Sequence, residues 1–141
     1  MIPPSYIFFI DRALGKSVGR ALRDIGRSVE FHNDHFVPEC PDTEWLPIVS
    51  QKGWIVLTKD INIGRNFLEI SSIAKFNARV FILTSGNICS QEMANIFQET
   101  IEKIEEKIRD YDSPFIAKIN RNRKVVLFKS RQDLIAFIND L

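Results

Sequence analysis

Short apolar runs, separated by longer amphipathic segments, are the feature that most constrains how this 141-residue chain can fold. Residues 6–10, 54–57 and 80–83 are runs of four or five apolar residues, too short for helices and rich in residues that favour β-strands. Strands that are apolar throughout are typical of a parallel sheet that is buried on both faces. The chain is therefore predicted to form a parallel sheet covered by helices.

The remaining segments complete this pattern. Residues 28–32 alternate between polar and apolar and predict a second strand, whereas residues 115–119 and 125–128 flank a polar turn and predict a hairpin. Ser130 with Asp133 resembles a capping box that opens a last helix. The predicted order is β-α-β-α-β-α-β-α-β-β-α, which indicates an α/β fold: a three-layer α/β/α sandwich with a mostly parallel sheet, plus a C-terminal β-hairpin and helix.

Composition bounds the organisation and the location. The chain is 45% hydrophobic and 26% charged with a net charge of +1, and it contains no linker-like tract, so residues 1–141 are expected to form a single domain. Cys40 and Cys89 lie far apart without a metal-binding spacing, which favours reduced thiols. Residues 1–4 do not resemble a leader, and no apolar run is long enough to span a membrane, so we expect a cytoplasmic protein.

Acidic residues mark the carboxyl edge of the predicted sheet. Asp11 follows the first strand, Asp60 follows the third, and Asp42 and Glu44 open the helix that leads into the third. Each is individually typical of a helix cap or a turn, but together they would crowd negative charge at the edge where open α/β sheets bind ligands. Mg²⁺ or Mn²⁺ would neutralise that charge and leave positions for a substrate phosphate. These acids therefore predict metal-assisted phosphoryl transfer to water.

Basic residues near these acids are candidates for contacts with phosphates. Lys16, Arg20, Arg23 and Arg27 fall at steps of four, three and four, which places them on one face of a helix, opposite an apolar face that includes Ile25. A solvated helix face is the alternative interpretation of this stripe. The candidates for holding a phosphate backbone, which are the candidate RNA-binding residues if that backbone belongs to RNA, are Arg12, Lys16, Arg20, Arg23, Lys59 and Arg65.

Three segments resemble the motifs of PIN-like domains related to VapC-type toxins. They are residues 10–15 (IDRALG), 41–46 (PDTEWL) and 53–60 (GWIVLTKD), and the strand ending in Leu-Thr-Lys-Asp is the most specific of them. The likeness spans roughly residues 5 to 128. It implies an endoribonuclease that uses Mg²⁺ or Mn²⁺, and a toxin that a cognate antitoxin protein holds inactive. Carried over by position, the metal-binding acids would be Asp11, Asp42 and/or Glu44, and Asp60.

The sequence departs from the resemblance at one place. Family members with a full set of ligands carry another acidic or polar ligand near the end of the fourth strand or after the third, whereas this chain has Thr84, Ser85, Asn87 and Asn62 there. A catalytically inactive PIN-like binding module is therefore an alternative, and the number of metal ions is open. Dimerisation is common in the family, and the sequence leaves the oligomeric state open.

Two further alternatives come from other classes of protein. A phospho-accepting receiver domain would use Asp11, Asp60, Thr84 and Lys118, but it normally has an adjacent acidic pair where this chain has Asp11 and Arg12. His32, Asp34 and His35 would be a second type of metal site, although their segment is predicted to be strand and loop rather than helix. The metal-dependent ribonuclease is the preferred hypothesis.

Overall fold

A six-stranded sheet forms the centre of the computed structural model, which describes residues 5–141; the expectation for residues 1–4 lies outside this range. The strand order is β2-β1-β3-β4-β5-β6, and every neighbouring pair is parallel except β5 and β6, which form the antiparallel hairpin. The predicted fold class and element order are confirmed. The strands are β1 Ile7–Ile10, β2 Ser28–Phe31, β3 Ile55–Thr58, β4 Arg79–Leu83, β5 Phe115–Ile119 and β6 Val125–Lys129.

Helices cover both faces of the sheet. They are α1 Lys16–Asp24, α2 Asp42–Gln51, α3 Phe67–Lys75, α4 Ser90–Asp110 and α5 Arg131–Asn139. Helices α1 and α4 pack on one face, where Leu22 and Phe97 join the cluster around Phe8, Leu57 and Phe81. Helices α2, α3 and α5 pack on the other face. No helix among residues 5–141 is long and apolar enough to cross a bilayer.

Side chains alternate between the two cores along the central strands β1, β3 and β4. Phe8 and Ile10 contribute to the α1/α4 core, whereas Phe9 lies between them in sequence and packs on the other side. Because successive side chains of a strand point to opposite faces, a strand between two helical layers must be apolar at every position. All four residues of β3 are buried, as this arrangement requires.

The first helix is shorter than the sequence indicated. A 3-10 turn of Arg12–Leu14 precedes α1, and the helix ends at Asp24 because Gly26 takes a φ of +85°, a left-handed conformation that favours glycine. Arg27 therefore lies beyond the helix, and its guanidinium pairs with Glu105 of α4. Ile25 is 38% exposed rather than buried. The prediction that Arg27 extends the basic stripe and Ile25 the apolar face is wrong.

Candidate functional site

Asp11 is a buried carboxylate at the end of β1. Its Oδ1 atom accepts a 2.7 Å hydrogen bond from the backbone N–H of Arg12, and its Oδ2 atom accepts a 2.6 Å hydrogen bond from the hydroxyl of Thr58. Burial raises the pKa of Asp11 and the nearby Asp60 charge adds to the rise, whereas the two hydrogen bonds and His32 oppose it. The carboxylate is therefore held in one orientation in a poorly solvated position.

Thr58 connects Asp11 to Asp60. It is the last residue of β3 and fully buried, and its hydroxyl accepts a 3.0 Å hydrogen bond from the backbone N–H of Asp60. The half-buried Asp60 side chain in turn accepts a 3.0 Å hydrogen bond from the backbone N–H of Asn62 through Oδ1. No role was predicted for Thr58 from the sequence, although its place in the Leu-Thr-Lys-Asp motif was a usable signal.

Asp42 is the first residue of α2, directly after the cap residue Pro41. Its Oδ1 atom accepts a 2.9 Å hydrogen bond from the indole N–H of Trp45, one turn later. Burial raises the pKa of Asp42 to about 6, and the charges of Asp11 and Asp60 add to this rise. Because each of these carboxylates acts on Asp42, the structure brings together three of the four predicted acids at one edge of the sheet.

The fourth predicted acid, Glu44, is exposed on α2, and its Oε2 atom lies 3.8 Å from the thiol sulfur of Cys40. Its metal-binding role stays a prediction. Glu69, a half-buried residue in the first turn of α3, is instead a further acid whose charge raises the pKa of Asp42. Sequence reasoning missed Glu69 because only the packing of α2 against α3 brings it near Asp42.

Asp11, Asp42 and Asp60 form the acidic cluster. Their carboxylate oxygens suit a hard divalent cation that keeps much of its water. No three His, Cys, Asp or Glu side chains within residues 5–141 converge closely enough to hold a metal together. Magnesium, however, is commonly bound through one or two carboxylates, with waters and substrate phosphates completing its shell. Asp42 and Asp60 each use Oδ1 for a hydrogen bond, which leaves Oδ2 for an outside partner. The residues present fit such an ion.

Most of the predicted RNA-binding cations surround this edge. Lys16, Arg20 and Arg23 line one cavity of about 280 Å³ together with Asp11 and Arg12. Lys59 is exposed directly before Asp60, and Arg65 lines a second cavity on the other side. The roles of these residues in binding RNA stay predictions.

Two of these cations also have structural partners. Arg12 donates a 2.9 Å hydrogen bond from its guanidinium to the carbonyl of Pro38, and Arg23 donates one of 2.9 Å to the carbonyl of Val29. The Arg23 guanidinium also stacks over the ring of Phe31, at 4.8 Å from its centroid. Arg12 and Arg23 therefore help to hold the wall of the first cavity, whereas Lys16 and Arg20 are exposed side chains of α1.

His32 is a buried neighbour of Asp11 that the sequence analysis placed at the end of a strand. It starts a 3-10 turn, His32–Asp34, and packs among aromatic rings that include Phe9 and Trp45. Its Nδ1 atom is buried and has no hydrogen-bond partner within the described chain. Asp34 and His35 do not join it in a metal-binding group among residues 5–141, and His35 instead contacts Glu30.

Of the neutral residues after the third and fourth strands, Thr84 and Asn62 have structural contacts, whereas the buried Oγ atom of Ser85 has no hydrogen-bond partner among residues 5–141. Thr84 donates a hydrogen bond to the carbonyl of Ile119 at 3.3 Å, and Asn62 fixes Asp60 through its backbone. Lys118 lies over the ring of Phe128, with its Nζ atom 3.6 Å from the ring centroid. Residues Thr84 and Lys118 are therefore engaged with the hairpin side of the sheet rather than with the acidic cluster.

Comparison with known proteins identifies the class. The family model described as a PIN like domain matches residues 7–85, which include Asp11, Asp42 and Asp60, and the chain belongs to this family. It is also similar to the protein named "Putative ribonuclease VapC45" of Mycobacterium tuberculosis (strain ATCC 25618 / H37Rv), with 28% identity over 122 residues, covering 83% of this chain and 88% of that protein. No solved structure matches the chain significantly.

The resemblance drawn from the sequence motifs is thereby confirmed. The family match begins at the first residue of β1 and ends just after β4, so it contains the acidic cluster and the strands that position it. Membership of the PIN-like family leaves the receiver-type alternative without support.

Proposed function

We propose that this protein is a divalent-metal-dependent endoribonuclease whose active site is the acidic cluster at the carboxyl edge of the sheet. The observation that carries the proposal is that Asp11, Asp42 and Asp60 lie at one edge of the sheet, where burial raises the pKa of Asp42 to about 6 and the charges of Asp11 and Asp60 add to that rise. Such crowding is costly in the absence of a cation. Family membership and the similarity to a protein named as a ribonuclease support the same assignment.

The carboxylates would have separate tasks in hydrolysis. Asp11 and Asp60 would hold Mg²⁺ or Mn²⁺, and Asp42 or Glu44 would complete the site directly or through water. The bound ion would lower the pKa of a coordinated water and offset negative charge on the phosphate. Asp42 would orient the attacking water by accepting its hydrogen bond. Attack at phosphorus breaks one P–O bond and leaves a phosphomonoester on one fragment and a hydroxyl on the other.

The surroundings of the acids support these tasks. Thr58 and the backbone of Arg12 hold Asp11 so that it needs no rearrangement to bind a cation, and Asn62 does the same for Asp60. Lys16, Arg20, Lys59 and Arg65 would supply the positive charge that attracts the RNA backbone. Arg12 and Arg23 would contribute charge while they hold the loops around the site.

A toxin–antitoxin role is part of this proposal. The similarity to the mycobacterial protein and the VapC-type motifs support a toxin whose partners are RNA and a cognate antitoxin protein, acting in the cytoplasm. We also propose that residues 1–141 act as one domain, since β5 and β6 complete the same sheet that carries the site. We include a homodimer of this chain among the proposed assemblies.

A binding module without catalysis is the second candidate. The observation that favours it is that no three ligand-type side chains within residues 5–141 converge tightly. In this case the acids would serve as the helix-capping and turn-forming groups that Asp11 and Asp60 already are in the structure.

Cleavage of a panel of labelled RNAs decides between the two candidates. Wild type, Asp60→Asn and the control Asp110→Asn, which removes an exposed carboxylate at the end of α4, would each be tested with Mg²⁺, with Mn²⁺ and with excess EDTA. We expect cutting by wild type and Asp110→Asn that stops in EDTA, and a loss of at least a hundredfold in Asp60→Asn. Equal cleavage rates of all three proteins, or RNA cleavage that persists in EDTA, would contradict a metal-dependent nuclease with Asp60 in its active site.

A further inference from the structure

Two cavities lined by cations open at the carboxyl edge of the sheet. The first, of about 280 Å³, lies between the ends of β1 and β2 and the start of α1, and Lys16, Arg20 and Arg23 line it. The second, of about 190 Å³, lies beside the ends of β4 and β5, where Arg65 and Lys118 line it. Asp11 of the acidic cluster and Asp34 also line the first cavity, so this cavity reaches the edge of the cluster.

The sheet order places Asp60 between these cavities, whereas Asp11 lies where the first cavity meets the acidic cluster. Along the order β2-β1-β3-β4-β5, the first cavity lies at β2 and β1, Asp11 follows β1, Asp60 follows β3, and the second cavity lies at β4 and β5. Neighbouring strands are about 4.8 Å apart, so the nearer bordering strands, β1 and β4, are about 10 Å apart and the centres of the two cavities about 14 Å apart along the edge. Positive charge therefore flanks the negative centre on both sides.

The first cavity has features that suit a polar, anionic occupant. Lys16 and Arg20 are exposed on successive turns of α1, while the Arg23–Phe31 stack forms a fixed wall. His32 lines the same cavity and is 97% buried, yet its Nδ1 atom has no partner within residues 5–141. A polar side chain in this state has hydrogen-bonding capacity that the protein does not use.

The second cavity presents cations on a rigid support. Lys118 is on β5, where its Nζ atom lies against the ring of Phe128 from the paired strand β6. Arg65 follows the 3-10 turn Ile61–Gly64, which Asp60 caps. A phosphate held by Arg65 and Lys118 would therefore lie a short distance along the sheet edge from the acidic cluster.

We propose that the two cavities bind the backbone phosphates on either side of the scissile phosphodiester, so that a single RNA strand crosses the sheet edge from the β2 side to the β5 side. This inference rests on the proposed nuclease function and adds the path of its substrate. It predicts that the protein needs phosphates on both sides of the cleaved bond. A dinucleotide has one phosphodiester, so while that group occupies the acidic cluster it has no phosphate to place at Lys16 and Arg20 or at Arg65 and Lys118.

Binding of a labelled eight-nucleotide RNA, measured by fluorescence anisotropy in EDTA, tests the path without requiring cleavage. One variant, Lys16→Gln/Arg20→Gln, removes two of the cations that line the first cavity, and another, Arg65→Gln/Lys118→Gln, removes the two cations that line the second. The control is Lys75→Gln/Arg109→Gln, which removes the same charge from exposed residues at the ends of α3 and α4, where the chain leads into the opposite edge of the sheet.

Each cavity variant should weaken RNA binding about tenfold and lower the number of counterions released on binding by about one to two. In the quadruple variant, which combines all four substitutions, the losses in binding free energy should add. The control should stay within about twofold of wild type. Either cavity variant behaving like the control would overturn the path. Displacement of the RNA by an equal concentration of inorganic phosphate would also overturn it, since the cavities would then be sites for free phosphate.

The outcomes separate this inference from the nuclease proposal. If the losses in RNA affinity are additive but the protein cleaves no RNA with any metal ion, the path is kept and the nuclease proposal is rejected. Metal-dependent cleavage with cavity variants that match the control in binding would keep the nuclease and reject the path.

Discussion

The hydroxyl of Thr58 donates a 2.6 Å hydrogen bond to Oδ2 of Asp11, and the same oxygen accepts a 3.0 Å hydrogen bond from the backbone N–H of Asp60. One buried side chain on β3 thus fixes an acid that follows β1 and an acid that follows its own strand. The relative position of the two carboxylates is set by strand pairing, because β1 and β3 are neighbours in register. The site is therefore built into the sheet rather than into flexible loops.

Replacing Thr58 by valine should weaken both stability and cleavage. Thr58→Val keeps the shape but leaves Oδ2 of the buried Asp11 and the Asp60 N–H without the partners they have in the wild type, which costs about 1–3 kcal/mol in the free energy of unfolding. RNA cleavage should fall at least tenfold. The control Thr58→Ser keeps the hydroxyl and should retain cleavage within about threefold; urea unfolding and initial rates that are equal for the two variants would contradict the role of the hydroxyl.

Asp42 should make the metal-free protein less stable as the pH rises. Its pKa in the folded chain is about 6, above the ordinary value of 3.8, so protonation favours the folded state. This stabilisation is fully present below about pH 4 and is lost as the pH rises through about 6. Because Asp42 is half-buried and partly screened by solvent, the loss should be about 1–2 kcal/mol.

Urea unfolding of wild type and Asp42→Asn in EDTA, at pH 4.5 and at pH 8, measures this effect. The asparagine oxygen still accepts the hydrogen bond from Trp45 but does not titrate, so the variant should gain about 1–2 kcal/mol on wild type between the two pH values. A parallel pH dependence of the two proteins would show that Asp42 titrates normally in the folded state.

Gly19 should be needed for the close approach of Phe31 to α1. A Cβ atom at position 19 would lie 2.3 Å from two atoms of the Phe31 ring and 3.1 Å from Val29. Alanine gains about 1 kcal/mol in helix propensity, but overpacking costs about 1–3 kcal/mol, so we expect Gly19→Ala to be destabilising overall. The double variant Gly19→Ala/Phe31→Leu should recover part of the loss in urea unfolding, and the absence of any recovery would reject the clash.

Arg27 should contribute to stability and not to RNA binding. Its guanidinium donates to both carboxylate oxygens of Glu105, at 3.0 and 2.9 Å, and both side chains are partly buried. Arg27→Gln and Glu105→Gln should each cost about 0.5–1 kcal/mol, and the double variant little more than either. In the anisotropy assay the RNA affinity of Arg27→Gln should match that of the wild type within about twofold. A loss of affinity equal to that of Lys16→Gln/Arg20→Gln would show that Arg27 binds RNA.

The sequence predicted the fold well because the signals were local. Apolar runs at β3 and β4 identify strands between two helical layers, and the Ser130–Asp133 capping box, which the structure contains, identifies the start of α5. These features depend on neighbouring residues and on the period of each element. The strand order then follows from few topological choices.

Features that depend on contacts between distant segments were missed. Glu69 lies 27 residues after Asp42 in the chain and acts on it only because α3 packs against α2. Arg27 fitted the helical period but fell outside the helix, since Gly26 ends α1, and its partner Glu105 is on another helix. Periodicity carries no information on these tertiary contacts, so a sequence pattern alone could not have assigned them.

Binding of Mn²⁺ to the acidic cluster, measured by calorimetry at pH 7.5, tests the central claim most directly. Wild type should bind Mn²⁺, and Asp60→Asn and Asp42→Asn should each lose at least tenfold in affinity, whereas the control Asp110→Asn should bind as wild type does. Binding that all four proteins share equally, or no binding by wild type, would contradict a metal site built from Asp11, Asp42 and Asp60.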